Sequence, residues 1–528
     1  MLTFAITLQT PQTDKFLDLS EPKNTIMRRL MTAATMWVTT REEMHGTMES
    51  LICIILEGVF ETNSGNLRRA WAVYRRAMAA AQLMGLHRTP IPPLNCIDSE
   101  LDVKPEIIWF RIVHMDRYLS LLLGLPQGTS DKSIGAVSIW ENEPPLSKFE
   151  RLLTVIASRI LERNDRSFST AELTTTQSID AELLKMSMSM PSSFWRPANF
   201  HGLTPGNPDA FLETIRLGAQ VYYYGLLIQL HLPYMMRISS STEHHYAKIT
   251  CVNAGREILT RFNAHRRFNP LSSCSRPVDF FALLASMTLV LAHLDAQCHK
   301  EARNVLAHQR LSDRALLQEV LDRMDGMSSI DEDTIADQSA KLIRRLLKIE
   351  ADATKGNSYT ARSMTGDDGT LEGKGAGDEL HLQIPYLGVI KIARQGPISR
   401  EPPHDQTSQV EPSQILPLAT PSEGFSSPSN APPVSGPPLS LTDNIDQRCT
   451  ISAYGQSMLQ CPESNHNKTT LQPPSELPLV GTGVGDWAFQ GVDMAFFDSL
   501  MKGTSCVDTS ELDQEWIDDP LGMDSSHL

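Results

Sequence analysis

The chain has 528 residues, 41% of them hydrophobic and 6% aromatic, with a formal net charge of −15. That length accommodates several domains, and the acidic balance argues against general affinity for nucleic acid by the whole chain. Eight cysteines are dispersed with no C-x-x-C pair, which excludes a disulfide framework and a compact zinc finger.

In chain order, residues 1–21 are expected to form a flexible N-terminus; they carry no basic segment or cleavage motif of a secretory signal. From residue 22 to 353 apolar residues recur at helical spacing and alternation of period two is scarce. Leu51–Phe60 is the first such run. In Asn66–Arg88, Leu67, Ala70, Tyr74, Ala77, Ala81 and Met84 share one face, and Gly85 stands where a left-handed cap is needed. Lys104–Pro126 places Ile108, Ile112, Met115, Leu119 and Leu122 on one stripe, with Pro105 in the first turn and Gly124 at the stop. Further helices are expected over Phe211–Leu232, Tyr246–Phe262, Val278–Cys298, Ala315–Met324 and Ile335–Ile349, separated by Pro/Gly/Ser clusters. The fold class is therefore all-α, a multi-helix domain of antiparallel helices. The apolar run Phe280–Ala292 is too short to span a bilayer, and no membrane partner is expected.

Residues 354–485 change composition. Sixteen of the 33 prolines fall between 355 and 480, and such a stretch buries too little apolar surface to offset the entropy of ordering it. It is expected to be a disordered linker, with Leu380–Ala393 as an apolar island that could form a short strand or a docking element, though chance in so long a linker accounts for it better. Residues 486–528 carry ten acids and one base, for a net charge of −9, interleaved with large apolar groups. Repulsion between the carboxylates keeps those groups solvated, so Trp487, Phe489, Phe496, Phe497 and Leu500 are the proposed contacts of an acidic activation tail with a coactivator or the transcription machinery.

Catalytic chemistry is not in view. No H-E-x-x-H, G-x-S-x-G or P-loop occurs, and Asp486 stands where a dinucleotide fingerprint needs its third glycine after Gly481 and Gly483. His87 and His231 are expected to cap helix ends, His244 and His245 to lie in a polar loop, and Asp116-Arg117 to make a structural contact. Arg68, Arg69, Arg75 and Arg76 read as a solvated helix face. No enzyme, metal site or cofactor is expected.

The two helices resemble, in wording, the middle homology region of fungal zinc-cluster transcription factors. The matching residues are Ala70-Trp71, Ala77, Ala81 and Gly85-Leu86-His87-Arg88, then Ile108-Trp109, Asp116-Arg117-Tyr118-Leu119-Ser120 and Gly124-Leu125-Pro126. Leu230-His231-Leu232-Pro233-Tyr234 and Cys251, Ala254, Gly255 and Arg256 echo later helices of the same region. The resemblance implies a nuclear transcriptional regulator of a metabolic pathway or biosynthetic gene cluster, whose helical domain restrains or exposes the tail. The family's six-cysteine zinc cluster has no counterpart in these residues, so no DNA-binding residue is named. Direct DNA contact is expected only through a module encoded before Met1, or through a zinc-cluster factor as partner. The alternative is a non-DNA-binding adaptor or repressor that pairs with such a factor.

Overall fold

The computed structural model describes residues 1–9 and, with short breaks, 21–394. Twelve α-helices make up most of the described chain: α1 (Leu2–Gln9), α2 (Lys23–Ala34), α3 (Met48–Asn63), α4 (Leu67–Met84), α5 (Pro105–Leu123), α6 (Pro145–Asn164), α7 (Thr170–Ser189), α8 (Pro208–Met235), α9 (Thr242–Phe268), α10 (Arg276–Cys298), α11 (Arg310–Asp331) and α12 (Thr334–Thr354). The all-α expectation holds. Each helix expected from periodicity is present, and most run several residues longer at one or both ends.

The helix ends follow local chemistry. Thr47 and Ser50 form a reciprocal capping box at the start of α3. The Asn207 side chain accepts the Asp209 N–H before α8, and Asp333 accepts the N–H groups of Ile335 and Ala336 before α12. Gly85 and Gly124 end α4 and α5 with φ of 87° and 67°, a region where a Cβ is strained.

The principal core joins α4 to α12. At its centre α10 is apolar around its whole circumference, with Phe280, Phe281, Leu283, Leu284, Leu289 and Leu294 all buried. This helix is long and apolar enough to cross a membrane by length and composition, but 94% of that stretch is buried inside the fold. It packs against α8, α9, α11 and α12. Gly225 on α8 permits one of these approaches: a Cβ there would lie 2.2 Å from the Phe281 ring. A second cluster fills the space between α3, α4 and α5.

Two differences from the sequence reading concern the ends of the domain. Leu2–Gln9 is a helix whose Leu2 and Ala5 are buried with Met31 and Ala34 of α2, so the N-terminal lead-in is anchored at its first turns. After α12, the stretch expected to be linker begins with a three-stranded antiparallel sheet of β1 (Tyr359–Met364), β2 (Glu379–Ile384) and β3 (Gly388–Arg394), in the order β1-β3-β2. Leu380 pairs with Ile392 and Leu382 with Ile390, and all four are buried in the principal core. The apolar island is thus two strands. Tyr359 ties the sheet to α12 by donating to Asp352 at 2.7 Å, and β1 packs on α10.

Candidate functional site

The expected tail contacts Trp487, Phe489, Phe496, Phe497 and Leu500 lie outside the described residues. Within the described domain, the residues singled out by the sequence converge on four polar joints that bind helix to helix.

The first links α4, α5 and the loop that follows α5. Trp71 donates to the Ser120 hydroxyl at 3.1 Å, and Ser120 in turn donates to the Pro126 carbonyl at 3.0 Å. Arg75 stacks 4.6 Å above the Trp71 ring, donates to the Pro126 carbonyl and pairs with Asp116 at 2.7 Å. The other Asp116 oxygen accepts the Gly128 N–H at 2.7 Å. Arg117 is fully buried and donates to the carbonyls of Thr129, Asp131 and, on α6, Thr154. Asp116 and Arg117 are structural, as expected, but each serves a different partner.

This corrects the reading of the arginines on α4. Arg69, Arg75 and Arg76 are not simply a solvated face, because they pair with the buried carboxylates of Glu61, Asp116 and Glu57 at 3.0, 2.7 and 2.6 Å. The carboxylates come from α3 and α5, too far along the chain for any helical spacing rule to reveal them.

The second joint is built around His231. It does not cap a helix end: it sits inside α8, buried, with Nε2 2.9 Å from Asp180 of α7. Tyr246 of α9 donates to the other Asp180 oxygen at 2.7 Å. Since a carboxylate only accepts, both partners donate. Burial opposes the charge on Asp180, but these two hydrogen bonds outweigh it and hold the carboxyl below its ordinary range. Two residues on, Pro233 lies within α8 and has no N–H for the carbonyl of Gln229. Arg163 of α6 supplies the missing donor at 3.2 Å, and also donates to the Leu230 carbonyl at 2.8 Å and to Thr176 of α7.

The third joint overturns the loop expected at His244-His245. Thr242 opens α9, so both histidines are helical. His244 is buried, with Nδ1 3.2 Å from the Tyr234 carbonyl and Nε2 3.5 Å from Asp295 of α10. Lys248 shares that carboxylate at 2.7 Å. The hydrogen bond to Asp295 is the main reason the His244 pKa is raised. His87 is exposed, with its ring centroid 6.2 Å from that of Trp109.

In the fourth joint Arg256 of α9 grips Asp313 of α11 with two hydrogen bonds, at 2.7 and 2.8 Å, while His293 of α10 donates to the same carboxylate at 2.8 Å. One residue earlier, Gly255 faces α10, where an added Cβ would lie 3.6 Å from the Ala285 carbonyl, an ordinary contact. Burial disfavours the Asp313 charge, yet Arg256 and His293 together depress its pKa. Cys251 is buried in an apolar setting that pushes its thiol far up, so it is not a reactive thiolate.

The sequence gives no signal for Arg163, Asp180, Asp295 or Asp313. They belong to no local motif, and their partners lie tens of residues away. Among the described residues no group of three or more His, Cys, Asp or Glu side chains could hold a metal ion. The joints have the chemistry of positioning: each ties the side chains of neighbouring helices to one another.

No family model and no solved structure matches the chain. Curated proteins do. It is 36% identical to a "Dehydrocurvularin biosynthesis regulator" of Alternaria cinerariae and 38% identical to another of the same name from Aspergillus terreus, in each case over 95% of this chain and 72% of the relative. It is 35% identical to "Probable transcription factor gsfR1" of Penicillium aethiopicum, over 98% of this chain and 74% of that protein.

Proposed function

The chain belongs to the fungal zinc-cluster transcription factor family, within which it carries the middle homology region, and from that membership we propose that its helical domain governs the exposure of an acidic activation tail. It is a nuclear transcriptional regulator controlling a metabolic pathway or biosynthetic gene cluster, and it is not an enzyme. As a regulator it works with the transcription machinery.

The finer reading assigns residues 486–528 as the activating segment, joined to the helical domain by a linker that begins after β3. Trp487, Phe489, Phe496, Phe497 and Leu500 are its contacts with a coactivator groove. The observation that carries this reading is the interleaving of ten carboxylates with large apolar side chains in those residues. Each apolar group buried on a partner gains about 1.5–3 kcal/mol before the cost of ordering the segment.

Fusing residues 486–528 to an unrelated DNA-binding module tests it. Reporter expression is expected to rise, and to fall at least several-fold when Trp487, Phe496 and Phe497 are replaced by Ala. A silent fusion, or one indifferent to those substitutions, rejects the assignment.

A second reading makes the chain a non-DNA-binding adaptor or repressor. In it the helical domain pairs with a zinc-cluster factor that reads the DNA. Co-purification of such a factor with this chain, together with an inert tail, supports that arrangement over the first.

A further inference from the structure

Away from the four joints, an open cavity of about 820 Å³ lies where α2, the π-helical turn that follows it (Thr35–Thr39), the end of α3, the start of α4 and Thr334 of α12 meet. The volume is that of a small-molecule site. Its lining divides by chemistry. Met27, Met31, Met36 and Phe60 present thioethers and a ring, surfaces that adapt to a rigid apolar body. Asn24, Thr32, Thr35, Ser64 and Asn66 present amides and hydroxyls.

Three details set this cavity apart from a packing defect. The Thr35 hydroxyl is buried without a hydrogen-bond partner among the described residues, an unsatisfied polar atom in the cavity's wall. Thr35 also begins the π-helical turn, a distortion that costs helical hydrogen-bond geometry and recurs at binding sites. The charge at the cavity is unbalanced as well. Glu61, the acid in the lining, is occupied by Arg69 at 3.0 Å and Asn66 at 2.7 Å. Arg28 is exposed and has no carboxylate partner among the described residues, and α2 contains three bases and no acid.

We propose that this cavity binds a small amphiphilic carboxylate, its alkyl or aryl body against Met27, Met31, Met36 and Phe60 and its anionic group on Arg28. Further oxygens on the ligand engage Asn24, Thr32, Ser64 and Asn66. Because the lining comes from both ends of the described domain, the occupant ties α2 to the start of α12.

Calorimetric titration of the full chain with decanoate and with 2-naphthoate, below the micellar range, tests the site. One saturable site per chain is expected, with decanoate bound at least tenfold more tightly than decanol. Arg28→Gln is expected to erase that preference, and Met36→Glu to weaken both carboxylates at least tenfold. Both positions are exposed, so each variant should keep the wild-type melting temperature; Leu83→Glu, at a site 88% exposed and outside the cavity, should bind as wild type does. Absence of saturable binding by either carboxylate overturns the proposal. So does binding that Arg28→Gln and Met36→Glu leave unchanged in folded protein.

Discussion

Arg163 on α6 stands 3.2 Å from the carbonyl of Gln229 on α8, the oxygen that Pro233 leaves without a helical donor. The proline within α8 and the buried arginine are therefore one device. Arg163→Ala bares two buried carbonyls and a cavity, at about 1–3 kcal/mol for each acceptor, so a loss of about 3–5 kcal/mol is expected in urea unfolding. Pro233→Ala restores a helical N–H for Gln229 and should reduce the loss caused by Arg163→Ala. Strict additivity in the double-mutant cycle would show that the two are independent.

Gly225→Ala places a methyl group inside the van der Waals radius of the Phe281 ring, 2.2 Å from its edge carbon. The helices α8 and α10 must separate or the ring must leave its rotamer, at about 1–3 kcal/mol. A lower melting temperature follows, with partial recovery in Gly225→Ala combined with Phe281→Leu. An unchanged melting temperature for the single variant contradicts the packing described.

Stability should fall in acid for three named reasons. His114 is partly buried, and its pKa is pushed down to about 3 by desolvation, with Arg111 and Arg117 adding to it. Below about pH 6.5 the unfolded chain takes up a proton that folded His114 refuses, so stability is lost as pH falls toward 3. Asp180 and Asp313 have depressed pKa values, so their contribution is complete above the ordinary carboxylate range and lost as pH drops through their folded values. His244 acts in the opposite sense: its pKa is raised, so its contribution is full below the ordinary histidine value and is lost as pH rises through the raised one. Urea midpoints measured across pH should flatten between pH 6 and 4 in His114→Phe, and on the alkaline side in His244→Gln.

Cutting the chain after Thr354 removes the sheet and uncovers the core it closes. Leu380, Leu382, Ile390 and Ile392 are each completely buried, worth about 1.5–3 kcal/mol apiece. Residues 1–396 should melt cooperatively, whereas residues 1–354 should melt at lower temperature and bind a hydrophobic dye. Equal melting of the two fragments would show that the sheet is dispensable.

The helices and their stops were legible because their causes are local. Gly85 and Gly124 mark left-handed caps, Pro105 marks a first turn, and the stripe from Leu67 to Ala81 needs no knowledge of its neighbours. His244 was not legible. Its surroundings read as polar loop, and what makes it helical and buried is the Tyr234 carbonyl and Asp295, the latter 51 residues further on. Arg75 and Arg76 misled for the same reason, since their carboxylates reside on other helices. The period-two alternation of Leu380, Leu382, Ile390 and Ile392 is present in the sequence, but nothing in its proline-rich surroundings marks the pairing of β3 with both β1 and β2.

The strand order β1-β3-β2 has a consequence for synthesis. Of the three described strands, the last to leave the ribosome is the one in the middle, so neither β1 nor β2 has its partner in this sheet until Arg394 has emerged. Up to that moment a nascent chain already holding twelve helices carries an apolar seam beside α10 and two strand edges with no mate. Completion of the domain is thereby timed by its final seven-residue strand, and a ribosome that stalls just short of it displays a substrate for chaperones in place of a finished regulator.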